Sequence, residues 1–311
     1  MAKVYAVTIA IIALFAINFF LLFKNSKDNF VTPYSFEEIS DQSARAYILP
    51  ISEPNYIPVL NSNISMPAVS AKSALVYDTS SSRFLYNKNT DIKLPIASLT
   101  KIMTAVVVLE NLSLDDIVTI TEDSMRVDGK KQDLYLGEKM SIRNLLKLLL
   151  IESSNDAAYA LAGHAKKLGI DFIGAMNTKA GALGMTDTIF NDPAGLNDNA
   201  HSTVKDLAKL VEYSLSYQEI WDISSEKTAI VESSDERIKH SITSTNRLLG
   251  MIKDIIGGKT GFTDGALQCM ILVTSVQGYS GKLISIVLGS QDRFGDTQKL
   301  IEWTRTAYRW Q

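Results

Sequence analysis

The sequence predicts an α/β protein of the α+β kind: an antiparallel sheet covered by helices, with a helical region inserted between the sheet-forming segments. Three observations point there. Ala74–Asp78 and Arg83–Tyr86, joined by the polar turn Thr79–Ser82, read as a strand pair at the start of the folded sequence. A block of helix-patterned segments follows. After residue 255 the pattern returns to strands, with Gln268–Val276 and Lys282–Leu288 flanking the turn Gln277–Ser280.

Taken in order, the chain opens with a near-continuous apolar run from Val4 to Phe23, broken by Thr8 and Asn18. About 20 apolar residues span a bilayer. Lys24-Asn25-Ser26-Lys27-Asp28 follows where a small-x-small cleavage site would be needed, so residues 1–23 read as a retained transmembrane anchor rather than a signal peptide. Lys3 on one side and Lys24 and Lys27 on the other mildly favour a cytoplasmic carboxy-terminal side. Residues 24–70 hold Pro33, Pro50, Pro54, Pro58 and Pro67 and keep no apolar period, which predicts a semi-extended tether. The competing reading packs Ile48–Leu60 along the domain as an ordered arm. The folded domain is expected over residues 71–311.

Pro95 biases Leu94 to an extended conformation, so a helix is predicted just after it, carrying the apolar run Ile102–Leu109. Arg143–Ile151 contains five leucines and reads as a buried helix. Ala157–Leu168 and Phe172–Leu183 are two more. Thr203-Val204-Lys205-Asp206 opens another helix with a capping-box pattern, Asp standing for the usual Glu. Gln298–Arg309 is expected to close the chain as an amphipathic helix. There is no internal repeat.

Composition narrows the function. Charge is nearly balanced, 31 Lys+Arg against 34 Asp+Glu, with no long basic stripe, so nucleic acid is not an expected partner. Cys269 is the single cysteine, which excludes an internal disulfide and a thiolate cluster, and its apolar strand makes it a core residue. His164, His201 and His240 have no metal-ligand spacing. Neither a metal nor a cofactor is expected.

The chemistry gathers at Ser98 and Lys101. Ser98 falls in a first helical turn, where unpaired amides favour a developing oxyanion, and Lys101 lies three residues on, on the same face. A neutral lysine there could take the serine proton. Ser-x-x-Lys arises by chance about once in a chain of this length, and Ser224-Ser225-Glu226-Lys227 is a second copy. Two more clusters accompany the first: Ser153-Ser154-Asn155 between two apolar helices, and Lys259-Thr260-Gly261 before the late strands. Ser244-Thr245-Asn246 is a rival for the middle place. The Ser224 copy lies after Ser153–Asn155 and fails the order Ser-x-x-Lys, Ser-x-Asn, Lys-Thr-Gly.

From about Ala71 onward the chain resembles the catalytic domain of the low-molecular-mass penicillin-binding proteins, the serine D-alanyl-D-alanine carboxypeptidases. The likeness rests on Ala97–Thr104, Leu134–Glu138, Ser153–Ala158, Met176-Asn177, Leu183–Met185, Asp192–Leu196, His201–Thr203, Asn246–Leu249 and Lys259–Asp264, in the family's order. It implies a penicillin-binding protein/serine β-lactamase-like fold. Ser98 would be the nucleophile and Lys101 its base, with Ser153 and Asn155 on the opposite wall relaying a proton and holding the substrate amide. Lys259 and Thr260 would bind the substrate carboxylate or steer protons, Gly261 would let the peptide lie close, and the Ser98 and Phe262 amides would hold the oxyanion. Arg293 would grip the terminal carboxylate, against a competing reading as an exposed loop arginine.

The implied substrates are peptidoglycan stem peptides ending in D-Ala-D-Ala, with β-lactams as covalent inhibitors. That substrate lies outside the cytoplasmic membrane, so the domain is expected on the outer face, held by the amino-terminal helix. Two departures stand out. Ala266-Leu267 occupies the place where relatives have Ala-Gly, and the chain ends at Gln311, where many relatives continue into a β-domain and a membrane helix. A cross-link endopeptidase would use the same residues. A β-lactamase lacks support, since no Glu-x-x-Leu-Asn segment is present to activate a deacylating water. A binding protein without turnover is the third alternative, disfavoured by three intact motifs.

Overall fold

The computed structural model describes residues 57–125 and 134–310. The expected anchor, and the expected tether up to residue 56, lie outside the described residues. One antiparallel sheet organises the rest: β1 Ser73–Asp78, β2 Arg83–Lys88, β3 Ile255–Thr263, β4 Leu267–Val276 and β5 Tyr279–Ser290, in the spatial order β3-β4-β5-β1-β2. Strand alternation places Leu75, Tyr77, Ile271, Val273, Ile284 and Ile286 in one core, beneath the helical block. Ala74, Val76, Met270, Leu272, Leu283 and Val287 enter a second core on the other face, with Leu300, Ile301 and Trp303 of a carboxy-terminal helix. The α+β architecture is the one expected.

Among the described residues the helices of six or more residues are α1 Thr100–Asn111, α2 Ile142–Lys147, α3 Asn155–Lys167, α4 Phe172–Ala182, α5 Val204–Ser214, α6 Gln218–Ser225 and α7 Arg293–Ala307. Helix α1 is buried from Thr100 through Val108. Its β-branched residues are weak helix formers, by up to about 0.7 kcal/mol each. Burial of each Ile, Val or Met side chain returns about 1.5–3 kcal/mol, so packing decides. Thr203 caps α5 by accepting from the Asp206 amide at 3.1 Å, as its sequence predicts.

Three expectations are corrected. Residues 57–70, assigned to the tether for their prolines, belong to the fold. Pro58–Leu60 pairs antiparallel with Tyr308–Trp310, and the Asp296 carboxylate accepts from the Ser70 amide, the Ser70 hydroxyl and the Ala71 amide. This agrees with the ordered-arm reading for its described end. The closing helix starts earlier, at Arg293, where Asp292 caps it, and it stops at Ala307 because Tyr308–Trp310 turns into that strand. The helix expected over Arg143–Ile151 is α2 followed by a π-helical turn, Leu148–Glu152. A further hairpin, Thr228–Glu232 with Lys239–Thr243, packs beyond the helical block.

Candidate active site

The nucleophile turn is a single turn of 3₁₀ helix, Ala97–Leu99, running directly into α1. Ala97 has φ 48°, so the chain enters through a left-handed residue. Ser98 is half-buried, and Lys101 beneath it is fully buried. Lys101 Nζ meets Ser98 Oγ at 2.8 Å, Asn155 Oδ1 at 2.8 Å and the Ala194 carbonyl at 3.1 Å. The amide and carbonyl oxygens can only accept. In the neutral amine they take its two N–H groups, and the lone pair is left pointing at the Ser98 hydroxyl. Burial pushes Lys101 down from 10.5 to about 7, with the Asp192 carboxylate pulling the other way. The proton-accepting form is therefore well populated near neutral pH.

The opposite wall comes from the π-helical turn. It ends at Ser153, held at φ 69°, and Ser154 then caps α3 by accepting from the Ala157 amide at 3.1 Å. π-turns and left-handed residues recur at functional sites because local strain there aims a side chain. Asn155, the first residue of α3, reaches Lys101. Lys259 on β3 is fully buried and donates to Ser153 Oγ at 2.7 Å and to the Thr260 carbonyl at 2.9 Å. Burial holds Lys259 well below the usual lysine range, helped by Lys101 and Arg293. Every hydrogen bond from the two amine nitrogens goes to a neutral oxygen.

The rest of β3 closes the site. Thr260 is buried and donates to Thr245 Oγ1 at 2.6 Å, while the Thr245 amide donates to the Ile151 carbonyl at 3.1 Å. The rival Ser244-Thr245-Asn246 thus braces β3 from behind, and Ser153–Asn155 is the pair that meets the lysines. A Cβ on Gly261 would sit 3.0 Å from the Ile96 carbonyl and 3.1 Å from the Ser98 amide, so β3 lies directly on the nucleophile turn. Phe262, beside it, is 55% exposed. Arg293, at the start of α7, donates from Nη1 to the Gly261 carbonyl at 2.7 Å and stacks on Phe294 at 5.0 Å, leaving Nε without a protein partner. It is tied to β3 and is not a free loop arginine.

Other flagged residues fall away from the chemistry. Ser224 lies in the last turn of α6 and donates to the Trp221 carbonyl. His201 lies in a short strand paired with Pro95, and His240 contacts Glu138 at 2.7 Å. Cys269 is buried, its thiol pushed up to about 11, mainly by burial. Leu267 has φ 56°, a left-handed conformation that favours glycine, which is why a leucine there departs from the expected pattern.

Sequence reasoning named Asp192–Leu196 without giving it a task. In the structure Asp192 Oδ1 accepts from the Ala194, Gly195 and Leu196 amides at 2.7, 2.6 and 3.2 Å, and Oδ2 accepts from Asn197 at 2.9 Å. The loop so folded delivers the Ala194 carbonyl to Lys101 and the Pro193 carbonyl to Thr104 of α1 at 2.6 Å. An Asp followed by Pro-x-Gly, with amides free to turn back onto the carboxylate, is the signal that could have found it.

A hydroxyl, an amine aimed at it, a second amine-held hydroxyl and a close strand edge make up the parts of a nucleophilic serine acyl-transfer site. Comparison with known proteins agrees. The family model for D-alanyl-D-alanine carboxypeptidases, peptidase family S11, matches residues 61–292. A D-alanyl-D-alanine endopeptidase of Pseudomonas aeruginosa is 34% identical over 240 residues, 75% of this chain and 77% of that protein. The D-alanyl-D-alanine carboxypeptidase DacF of Bacillus subtilis is 30% identical over 247 residues, 76% of this chain and 63% of that one. The crystal structure of the Streptomyces K15 DD-transpeptidase superposes with a TM-score of 0.72 at 30% identity, covering 78% of this chain and all of that one. The chain belongs to the D-alanyl-D-alanine carboxypeptidase family, peptidase family S11, and is a serine peptidase.

Proposed function

We propose that this protein is a membrane-anchored serine DD-carboxypeptidase that removes the terminal D-alanine from peptidoglycan stem peptides. Ser98 Oγ attacks the carbonyl carbon of the penultimate D-alanine, and its proton passes to Lys101 Nζ. The oxyanion that forms is met by the Ser98 and Phe262 amides. Collapse breaks the peptide bond, and the proton held by Lys101 returns through Ser153 to the departing amine. Free D-alanine leaves and an ester remains on Ser98. Water then attacks the ester, gives its proton to Lys101, and Ser98 is restored as that proton returns. Asn155 holds the substrate amide, Gly261 lets the peptide lie along β3, and Lys259, Thr260 and Arg293 receive its carboxylate.

The observation that carries this reading is the set of three oxygens around Lys101 Nζ, two of them pure acceptors and the third the nucleophile. Cleavage of D-alanyl cross-links is a second reading, favoured by the Pseudomonas relative, which is named an endopeptidase. The apolar run Val4–Phe23 supports the anchor. A substrate outside the membrane places the domain on the outer face of the cytoplasmic membrane.

The test is release of D-alanine from a pentapeptide ending in D-Ala-D-Ala, run beside mass spectrometry of a penicillin adduct. Wild type releases D-alanine and carries the adduct on Ser98 for minutes or longer; Ser98→Ala does neither. Fast penicillin turnover with no D-alanine released overturns the reading in favour of a β-lactamase. Cleavage of cross-linked dimers in preference to pentapeptides moves it to the endopeptidase.

A further inference from the structure

The Asp192 carboxylate is buried, 8% exposed, and among the described residues its hydrogen bonds come from neutral backbone amides of its own loop. Neutral amides solvate such a carboxylate through their dipoles without cancelling its field. The loop it folds ends on the reacting centre: Ala194 supplies one of the two pure acceptors on Lys101, and Pro193 ties the loop to α1. Gly195, at φ 77°, has no room for a side chain, because a Cβ would fall on the Ala97 carbonyl. The carboxylate, its loop and the nucleophile turn are therefore one packed unit.

We infer that Asp192 is a positioning residue of the Ser98 reaction, acting on Lys101 both through the loop it folds and through its negative charge. This rests on the reading of Lys101 as the base. The loop fixes where the amine points. Without the Ala194 carbonyl one N–H would be unpaired, and the lone pair would no longer be directed to Ser98. The charge acts on the proton. Lys101 is buried beside a second lysine, and both conditions favour the neutral amine. A neutral amine can take the serine proton, but the resulting ammonium must survive until the leaving group is protonated. Among the described residues Asp192 is the anion whose charge favours that ammonium, and it lowers the penalty of forming it.

The ionisable groups around Lys101 are consistent with this division. Lys259 of β3 and Lys101 repel one another, and Arg293 of α7 repels Lys259 in turn. Tyr159 of α3 feels the same carboxylate, and its hydroxyl is pushed up to about 12, first by burial and then by Asp192, so it stays neutral. Asp156, the next residue of α3 after Asn155, is buried as well. Ser98, Ser153 and Asn155 are uncharged. Asp192 is thus the attractive contribution, and burial with Lys259 of β3 the opposing one.

The experiment follows the pH dependence of penicillin acylation of the full-length protein. Asp192→Asn keeps an oxygen for the Ala194–Leu196 amides and removes the charge. Its acid limb should move to lower pH by on the order of half to one unit, with the peptide KM unchanged and kcat reduced. Asp192→Ala loses the loop as well, and its acylation rate should fall more than about tenfold at every pH. An acid limb of Asp192→Asn that coincides with wild type overturns the charge role. Should Asp192→Asn fail to fold, Asp192→Glu tests the point from the other side. It keeps the charge and disturbs the loop, so the plateau falls while the limb stays, and a limb that moves overturns the inference. Lys101→Ala serves as the control on the underlying reading. If it acylates like wild type, Lys101 is not the base and that reading falls; if it is silent while Asp192→Asn matches wild type, only the inference about Asp192 falls.

Discussion

Lys101 should reveal itself in how the rate of Ser98 acylation depends on pH. Its pKa is lowered from 10.5 to about 7, chiefly by burial. The difference, about 3.5 units at about 1.4 kcal/mol each, is roughly 5 kcal/mol of penalty against the ammonium in place. With a pKa near 7, the neutral fraction is about one tenth at pH 6 and about nine tenths at pH 8. Acylation by penicillin should therefore rise about tenfold between those values and level off above pH 8. A lysine left at 10.5 would instead give a rate climbing about tenfold per unit up to pH 10. Stopped-flow acylation with a chromogenic β-lactam reads the profile directly. The same shift has a stability consequence. The unfolded chain holds this proton between about pH 7 and 10.5 and the folded chain does not, so stability rises with pH across that window. The lysine's full penalty is present below pH 7. A rate still climbing steeply between pH 8 and 10, or flat from pH 5 to 9, would refute the assignment of Lys101 as a base tuned by burial.

Gly195→Ala places a Cβ against the Ala97 carbonyl and the Thr100 side chain at φ 77°. Penicillin labelling should be lost, with stability falling by roughly 2–4 kcal/mol in urea titration; an unchanged midpoint and normal labelling would contradict the close packing. Leu267→Gly relieves a left-handed leucine and should raise stability by roughly 1 kcal/mol on the same assay, whereas a loss would show that the leucine side chain's packing outweighs the backbone. Removing residues 1–56 should leave D-alanine release intact. Removing residues 1–66 takes the strand Pro58–Leu60 with it and should lower the melting temperature by several degrees; equal melting curves for the two truncations would mean the strand pair contributes nothing.

The legible part of the site was the part written in short, local spacings. Ser98 and Lys101 share a helix face whatever the rest of the chain does. The Thr203 cap and the β4–β5 hairpin are likewise set within a few residues, and they lie as expected. What could not be read depends on distant pieces of chain meeting. Pro58–Leu60 and Tyr308–Trp310 are three residues each, too short to show alternation, and their partners are some 250 positions apart. Prolines that suggested an extended tether are tolerated there because an edge strand does not need every amide. The π-turn at Leu148–Glu152 reads as ordinary helix, since a run of four apolar residues looks alike with four- or five-residue periodicity. Asp192 was hidden for the opposite reason. It sat inside a recognisable motif, but its task appears only when its own backbone folds back upon it. Ser244-Thr245-Asn246 was weighed as a rival signature, and its value turned out to be Thr245 bracing Thr260.

The pairing of Pro58–Leu60 with Tyr308–Trp310 also has a mechanical meaning. Tyr308 of the terminal strand pair donates to the Leu85 carbonyl at 2.8 Å, fastening that pair to β2. β2 is the edge of the sheet opposite β3, with β1, β5 and β4 between. A pull on the chain ahead of residue 57 therefore loads the far edge of the sheet first, and four hydrogen-bonded ladders separate that edge from the strand that carries Lys259. A peptidase hauled about by its leading segment would keep its cutting edge unstrained.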